Sequence, residues 1–262
     1  MTAARKHVAF SADTEAYFMP RDFRHFEGEF TEAIIDVCET RGIPFTWLIV
    51  VDAERIEVRT VLEKVYPRRR DVDEFSLHVH FKHYIQDAPD DFESFKDVAR
   101  RLAWLRDAKT EIAACGLPMP RTFRYGGGDS QDRHYCIEDL AFTVDELGVR
   151  NFLFTPDRLE EVKGITACTH DGNNVWTIDD GRKITTLATT VYLDRDEETV
   201  IDAIDARLKN ADYALIGCHD YRRIVPENLD KAIAHLNAHY DVRYVTIDRL
   251  GEAVRASELR ND

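Results

Sequence analysis

The sequence predicts an α/β protein, either a (β/α) barrel or a doubly wound sheet. Three observations predict it: short apolar runs, amphipathic stretches alternating with them, and reactive polar residues where the apolar runs end. The runs at 8–11, 45–51, 75–80, 122–124, 151–154, 184–187, 215–218 and 243–247 read as strands. Several are continuous rather than alternating, which fits strands buried on both faces of a parallel sheet. In either fold the catalytic groups gather at the C-terminal ends of the strands.

The stretches between the runs have helical spacing. Residues 30–40 place Ala33, Ile34 and Val37 on one face, and Gly42 follows as a stop. Residues 91–115 carry Val98, Leu102, Leu105 and Ile112, with Gly116 as the stop. Residues 132–147 end at Gly148, and residues 197–208 carry Val200, Ile201, Ile204 and Leu208. Pro226 opens a last helix running to about His239.

Composition narrows the function classes. The 262 residues are 44% hydrophobic and 32% charged, as in a folded globular domain. The formal charge of -14 argues against a nucleic-acid partner. No stretch approaches the roughly 20 apolar residues that span a bilayer, and the apolar run at 8–10 is too short for a signal core. A cytoplasmic protein without a membrane span is expected. The five cysteines are scattered and form no CxxC pair, so they read as reduced core residues.

Four strand ends carry chemistry. The first leads into Asp13 and Glu15, the third into His78, His80 and His83, the fourth into Arg124, Tyr125 and Gly126, and the seventh into His219. Residues i and i+2 of a strand point the same way, so His78 and His80 can hold one ion, with His83 able to replace His80. Imidazole suits zinc and other first-row divalent metals. A single histidine there would more often be a core residue; three within six residues point to a metal site. One carboxylate of the Asp13/Glu15 pair can bind the metal while the other takes a proton from water. Taken alone, the acidic pair would better suit a solvated turn, while Arg124 before its glycines fits a tight loop and a carboxylate-orienting role about equally. His219, at the end of a buried strand, is placed for general acid work. Cys218 beside it points to the other face and is not a nucleophile.

This order of motifs resembles the polysaccharide deacetylases with the NodB homology domain, carbohydrate esterase family four and its relatives. The resemblance runs from Val8 to about Tyr221. It implies an irregular (β/α) barrel of about seven to eight mostly parallel strands, filling 1–262 as one domain. It also implies roles. Asp13 is the catalytic base, held by Arg124; Glu15, His78 and His80 (or His83) bind a divalent metal, most simply zinc; His219 is the acid. Tyr125 and Gly126 would line the substrate site. The reaction implied is removal of an acetyl or related acyl group from the nitrogen of an N-acylated sugar. The His-x-His form is similar to a branch associated with O-antigen and other surface-polysaccharide biosynthesis.

The sequence departs from the family pattern at three places. No histidine pair here is four apart, Glu15 stands where an aspartate is usual, and the arginine motif lacks its proline. The fourth motif, an aspartate with a tryptophan, has no evident counterpart. Three competing readings remain: a deformylase or ring-opening amidase on the same barrel, an amidohydrolase-type barrel, and a non-catalytic glycan-binding protein. The amidohydrolase reading is disfavoured because such barrels place His-x-His on the first strand.

Overall fold

The computed structural model describes residues 5–15, 29–50, 59–79, 98–125, 143–153, 168–170, 174–178, 181–256 and 259. Among the described residues, eleven strands form one sheet: β1 (Lys6–Thr14), β2 (Thr46–Ile49), β3 (Glu74–Val79), β4 (Thr122–Tyr125), β5 (Asn151–Phe152), β6 (Cys168–His170), β7 (Val175–Ile178), β8 (Lys183–Thr186), β9 (Val191–Tyr192), β10 (Tyr213–His219) and β11 (Val242–Tyr244). Among the described residues the α-helices are α1 (Glu29–Arg41), α2 (Val98–Ala114), α3 (Glu197–Asn210), α4 (Val225–His239) and α5 (Ile247–Arg255).

The sheet order is β6-β7-β8-β5-β4-β3-β2-β1-β10-β9, with β11 also paired to β1. All pairings are parallel except those of the β6–β7–β8 excursion. The result is a curled, mostly parallel half-barrel with helices packed outside it, the α/β barrel class expected from the sequence. The strand count exceeds expectation because the β6–β7 hairpin and the two-residue β9 leave almost no apolar signature.

Side-chain alternation sorts the strands into two faces. Outward, Val8, Phe10, Trp47, Ile49, Phe75, Leu77, Phe123, Ala214 and Ile216 join the helices in one core. From α1, Ile34, Ile35 and Cys38 enter this core; from α3, Val200, Ile204 and Leu208; from α4, Leu229, Ile233 and Leu236. Inward, Ala9, Leu48, Leu187, Tyr213 and Leu215 pack with Ile247, Leu250 and Val254 of α5. That helix therefore stops the N-terminal end of the barrel.

Residues 243–247 were read as a strand; the strand ends at Tyr244, and Ile247 already begins α5. The reason is local. Thr246 has extended backbone and caps the helix, while Ile247 N donates to Thr46 Oγ1 (3.0 Å) and Asp248 N to Glu74 Oε2 (2.7 Å). Gly116, read as a helix stop, has φ +71°, which a side chain would oppose. Asp196 caps α3 by accepting from Thr199 N at 2.9 Å. A cavity of about 910 Å³, bordered by His7, Arg121, Arg243 and Glu252, lies at the N-terminal strand ends. No described helix is long and apolar enough to cross a membrane.

Candidate active site

The site lies at the opposite, C-terminal ends of the strands. Strand register assembles it: Asp13 of β1 is the partner of His219 in β10, and His78 of β3 is the partner of Arg124 in β4. All four alternate in phase with the inward face. Asp13, Glu15, His78 and Arg124 are buried, whereas the His219 side chain keeps 25% exposure and so opens onto the mouth.

Asp13 sits between two cations. Its Oδ2 lies 3.3 Å from Arg124 Nε and 3.8 Å from His219 Nε2. Its other oxygen, Oδ1, is buried and has no hydrogen-bond partner among the described residues; Arg124 Nη1 is in the same condition. Such buried orphans are rare in folded proteins and collect where a ligand or ion completes the set.

Glu15 is held from its backbone. Its N–H donates to Asp220 Oδ1 at 2.8 Å, and Asp220 Oδ2 accepts from Thr31 Oγ1 of α1 at 3.0 Å. The Glu15 carboxylate meets His78 Nε2 at 2.8 Å, while His78 Nδ1 lies 3.3 Å from the Arg124 carbonyl. A carbonyl only accepts, so Nδ1 carries the proton and donates to it. Nε2 and the Glu15 carboxylate face each other directly, placed so that both could ligate one metal ion. Ligand atoms of Asp13, Glu15 and His78 all lie within 4.8 Å of one another. Two carboxylates and one imidazole, buried, with one oxygen unpaired, fit a divalent metal ion.

His219 has a partner the sequence did not disclose. Asp194, just after β9, accepts from the His219 backbone N–H at 3.0 Å and bonds Nδ1 with its other oxygen. Burial pulls the imidazole pKa down. The Asp194 hydrogen bond and the charges of Asp13, Glu15 and Asp194 outweigh it, raising the pKa to about 9. The ring thus holds its proton at neutral pH and loses it as pH rises through that value. In Asp194→Asn the hydrogen-bonded charge is gone, so the His219 resonance followed by NMR should titrate at lower pH. An unshifted midpoint would remove Asp194 from this role. The only local cue to Asp194 was its position after the short apolar pair Val191-Tyr192.

His80, His83 and Gly126 lie outside the described residues. Tyr125 ends β4, and its backbone is opposite Val79. Cys218 faces the outer core; burial pushes its thiol well above the usual range, and Sγ lies 3.3 Å from the Ser11 carbonyl. It stays a protonated thiol, as its alternation implied.

No family model and no curated protein matches the sequence. Solved structures do match. A polysaccharide deacetylase, so described, from Mycobacterium smegmatis aligns over 99% of this chain and 94% of its own at 14% identity, TM-score 0.57. A family 4 acetyl xylan esterase from Clostridium thermocellum, solved with a cobalt ion, aligns over 94% and 90% at 14% identity, TM-score 0.50. The allantoinase PuuE aligns over 97% and 91% at 12% identity, TM-score 0.60. With these full-length similarities and a sheet that presents its polar residues at one mouth, the chain has the polysaccharide deacetylase fold.

Proposed function

We propose that the protein is a metal-dependent hydrolase that removes an acetyl or related acyl group from the nitrogen of an N-acylated sugar, in surface-polysaccharide biosynthesis. The observation that carries this reading is the buried Asp13, Glu15 and His78 group beside an Arg124-held carboxylate and a protonated His219. Glu15 and His78 would hold the ion, with His80 the third ligand by the sequence reading and His83 its alternative. A bound divalent ion, zinc most simply, supplies Lewis-acid polarisation of the acyl oxygen and eases ionisation of water.

The chain's own groups do the rest. Asp13, paired with Arg124, accepts the proton of the attacking water. His219 gives its proton to the leaving nitrogen, and Asp194 holds the ring for that transfer. Arg124 fixes Asp13 and leaves Nη1 toward no described partner, available to an acyl or sugar oxygen. Tyr125 and Gly126 follow Arg124 directly in sequence and would line the substrate site by the sequence reading.

A second reading is an amidase acting on a cyclic ureide, motivated by the similarity to the allantoinase. A glycan-binding module without catalysis is disfavoured, since the base and acid positions, Asp13 and His219, are both filled. The test compares wild type with His78→Ala, measuring bound zinc and acetate released from N-acetylated chito-oligosaccharides. Zinc and acetate release in wild type, both lost in His78→Ala, support the reading. Unchanged zinc and unchanged release in the variant would sink it. Turnover of allantoin in place of the sugar would favour the amidase.

A further inference from the structure

His219 and Arg124 share a neighbour that the proposed chemistry has not used. The Tyr192 ring stacks on the His219 imidazole, with centroids 5.3 Å apart and planes within 15°. The Arg124 guanidinium carbon lies 5.0 Å from the centre of the same ring. One aromatic side chain therefore touches both cations that flank Asp13.

The strand geometry explains how it reaches them. Tyr192 of β9 is the register partner of Gly217 in β10. Gly217 and His219 are two apart and share the inward face. A Cβ on Gly217 would lie 3.1 Å from Tyr192 Cε1 and 3.3 Å from Cδ1. Glycine at that position leaves the space in which the ring lies across β10 and onto His219. On its other side His219 meets Tyr221, with centroids 5.3 Å apart at 45°. The imidazole is thus bounded by two phenol rings, with Nδ1 engaged by Asp194.

A ring face attracts cations, and two cations brought to one carboxylate repel each other. A flat ring in contact with both offsets that repulsion and fixes where each can sit. We propose that Tyr192 is a positioning residue, whose ring holds Arg124 and His219 in register on either flank of Asp13. The role needs the ring and not the hydroxyl. It rests on the deacetylase reading only for its kinetic consequence.

The experiment compares wild type, Tyr192→Phe and Tyr192→Leu, zinc-loaded, on tetra-N-acetylchitotetraose, with crystal structures of all three. Tyr192→Leu should lose roughly 10- to 100-fold in kcat with KM within about threefold, because a misplacement near 1 Å has costs of that order. Tyr192→Phe should retain kcat within about threefold of wild type, as the ring argument requires. In the crystals, Arg124 or His219 should shift from Asp13 in Tyr192→Leu and stay in Tyr192→Phe. Wild-type kcat in Tyr192→Leu, equal losses in both variants, or unmoved side chains in Tyr192→Leu would each overturn the proposal. If Tyr192→Leu does not fold, Tyr192→Met takes its place. If wild type releases no acetate, the deacetylase reading fails, and the crystal comparison still decides the positioning role.

Discussion

Asparagine in place of Asp13 is expected to lower kcat by about 10²- to 10⁴-fold, the range that a lost general base spans. The substitution keeps the size of the side chain and removes the ability to take a proton. It also removes the charge that Arg124 Nε meets at 3.3 Å and that His219 approaches at 3.8 Å. Arg124 then stays buried with a weaker partner, so a stability loss of about 1–3 kcal/mol accompanies the change. A loss of that size leaves most molecules folded at 25 °C and cannot account for the drop in rate. The check is kcat and KM for acetate release, with circular dichroism to show the fold. Activity within tenfold of wild type would mean that Asp13 is not the base.

The second large effect falls on stability, away from the chemistry. Asp73, just before β3, accepts from Phe45 N (3.0 Å), Trp47 Nε1 (2.8 Å), Arg69 Nε (3.0 Å) and Arg69 Nη2 (2.7 Å). The Asp73 side chain is fully enclosed and that of Arg69 nearly so. Asp73→Ala leaves a buried guanidinium without its counter-charge and an indole N–H without its acceptor. The expected cost is about 3–5 kcal/mol. In thermal unfolding this corresponds to a Tm lower by on the order of 10 °C for a domain of this size. Replacing both partners together, as Arg69→Met with Asp73→Leu, should cost less than Asp73→Ala alone, because no charge is stranded. A Tm for Asp73→Ala within a degree or two of wild type would contradict the assignment.

The site was legible where strand ends are long and apolar. The run 8–11 lies within β1 and leads to Asp13 and Glu15; the run 215–218 lies within β10 and leads to His219. Alternation then says which neighbour faces the mouth, so His219 and Cys218 were separable from sequence. What escaped has a physical reason in each case. Asp194 follows a two-residue strand, too short to show a period. α5 was hidden because its start, Ile247, follows an apolar strand without a glycine or proline to mark the change. The shared Tyr192 contact depends on which strand lies beside β10, a fact of sheet order that no local pattern carries. His80 and His83 belong to the part of the reading that the described residues do not reach.

The outward face of the sheet is built from ordinary apolar side chains that tolerate exchange if volume is kept. That tolerance is compatible with the 12–14% identities to solved structures of the same fold.

The helix that closes the lower end of the barrel has a bearing on traffic. With Ile247, Leu250 and Val254 packed at that end, the described opening toward Asp13 is at the other, where the His219 side chain keeps 25% exposure. On the proposed reading, a substrate would approach Asp13 from the His219 side. Residues at that rim would then bear on entry and release as well as on the chemistry beneath them.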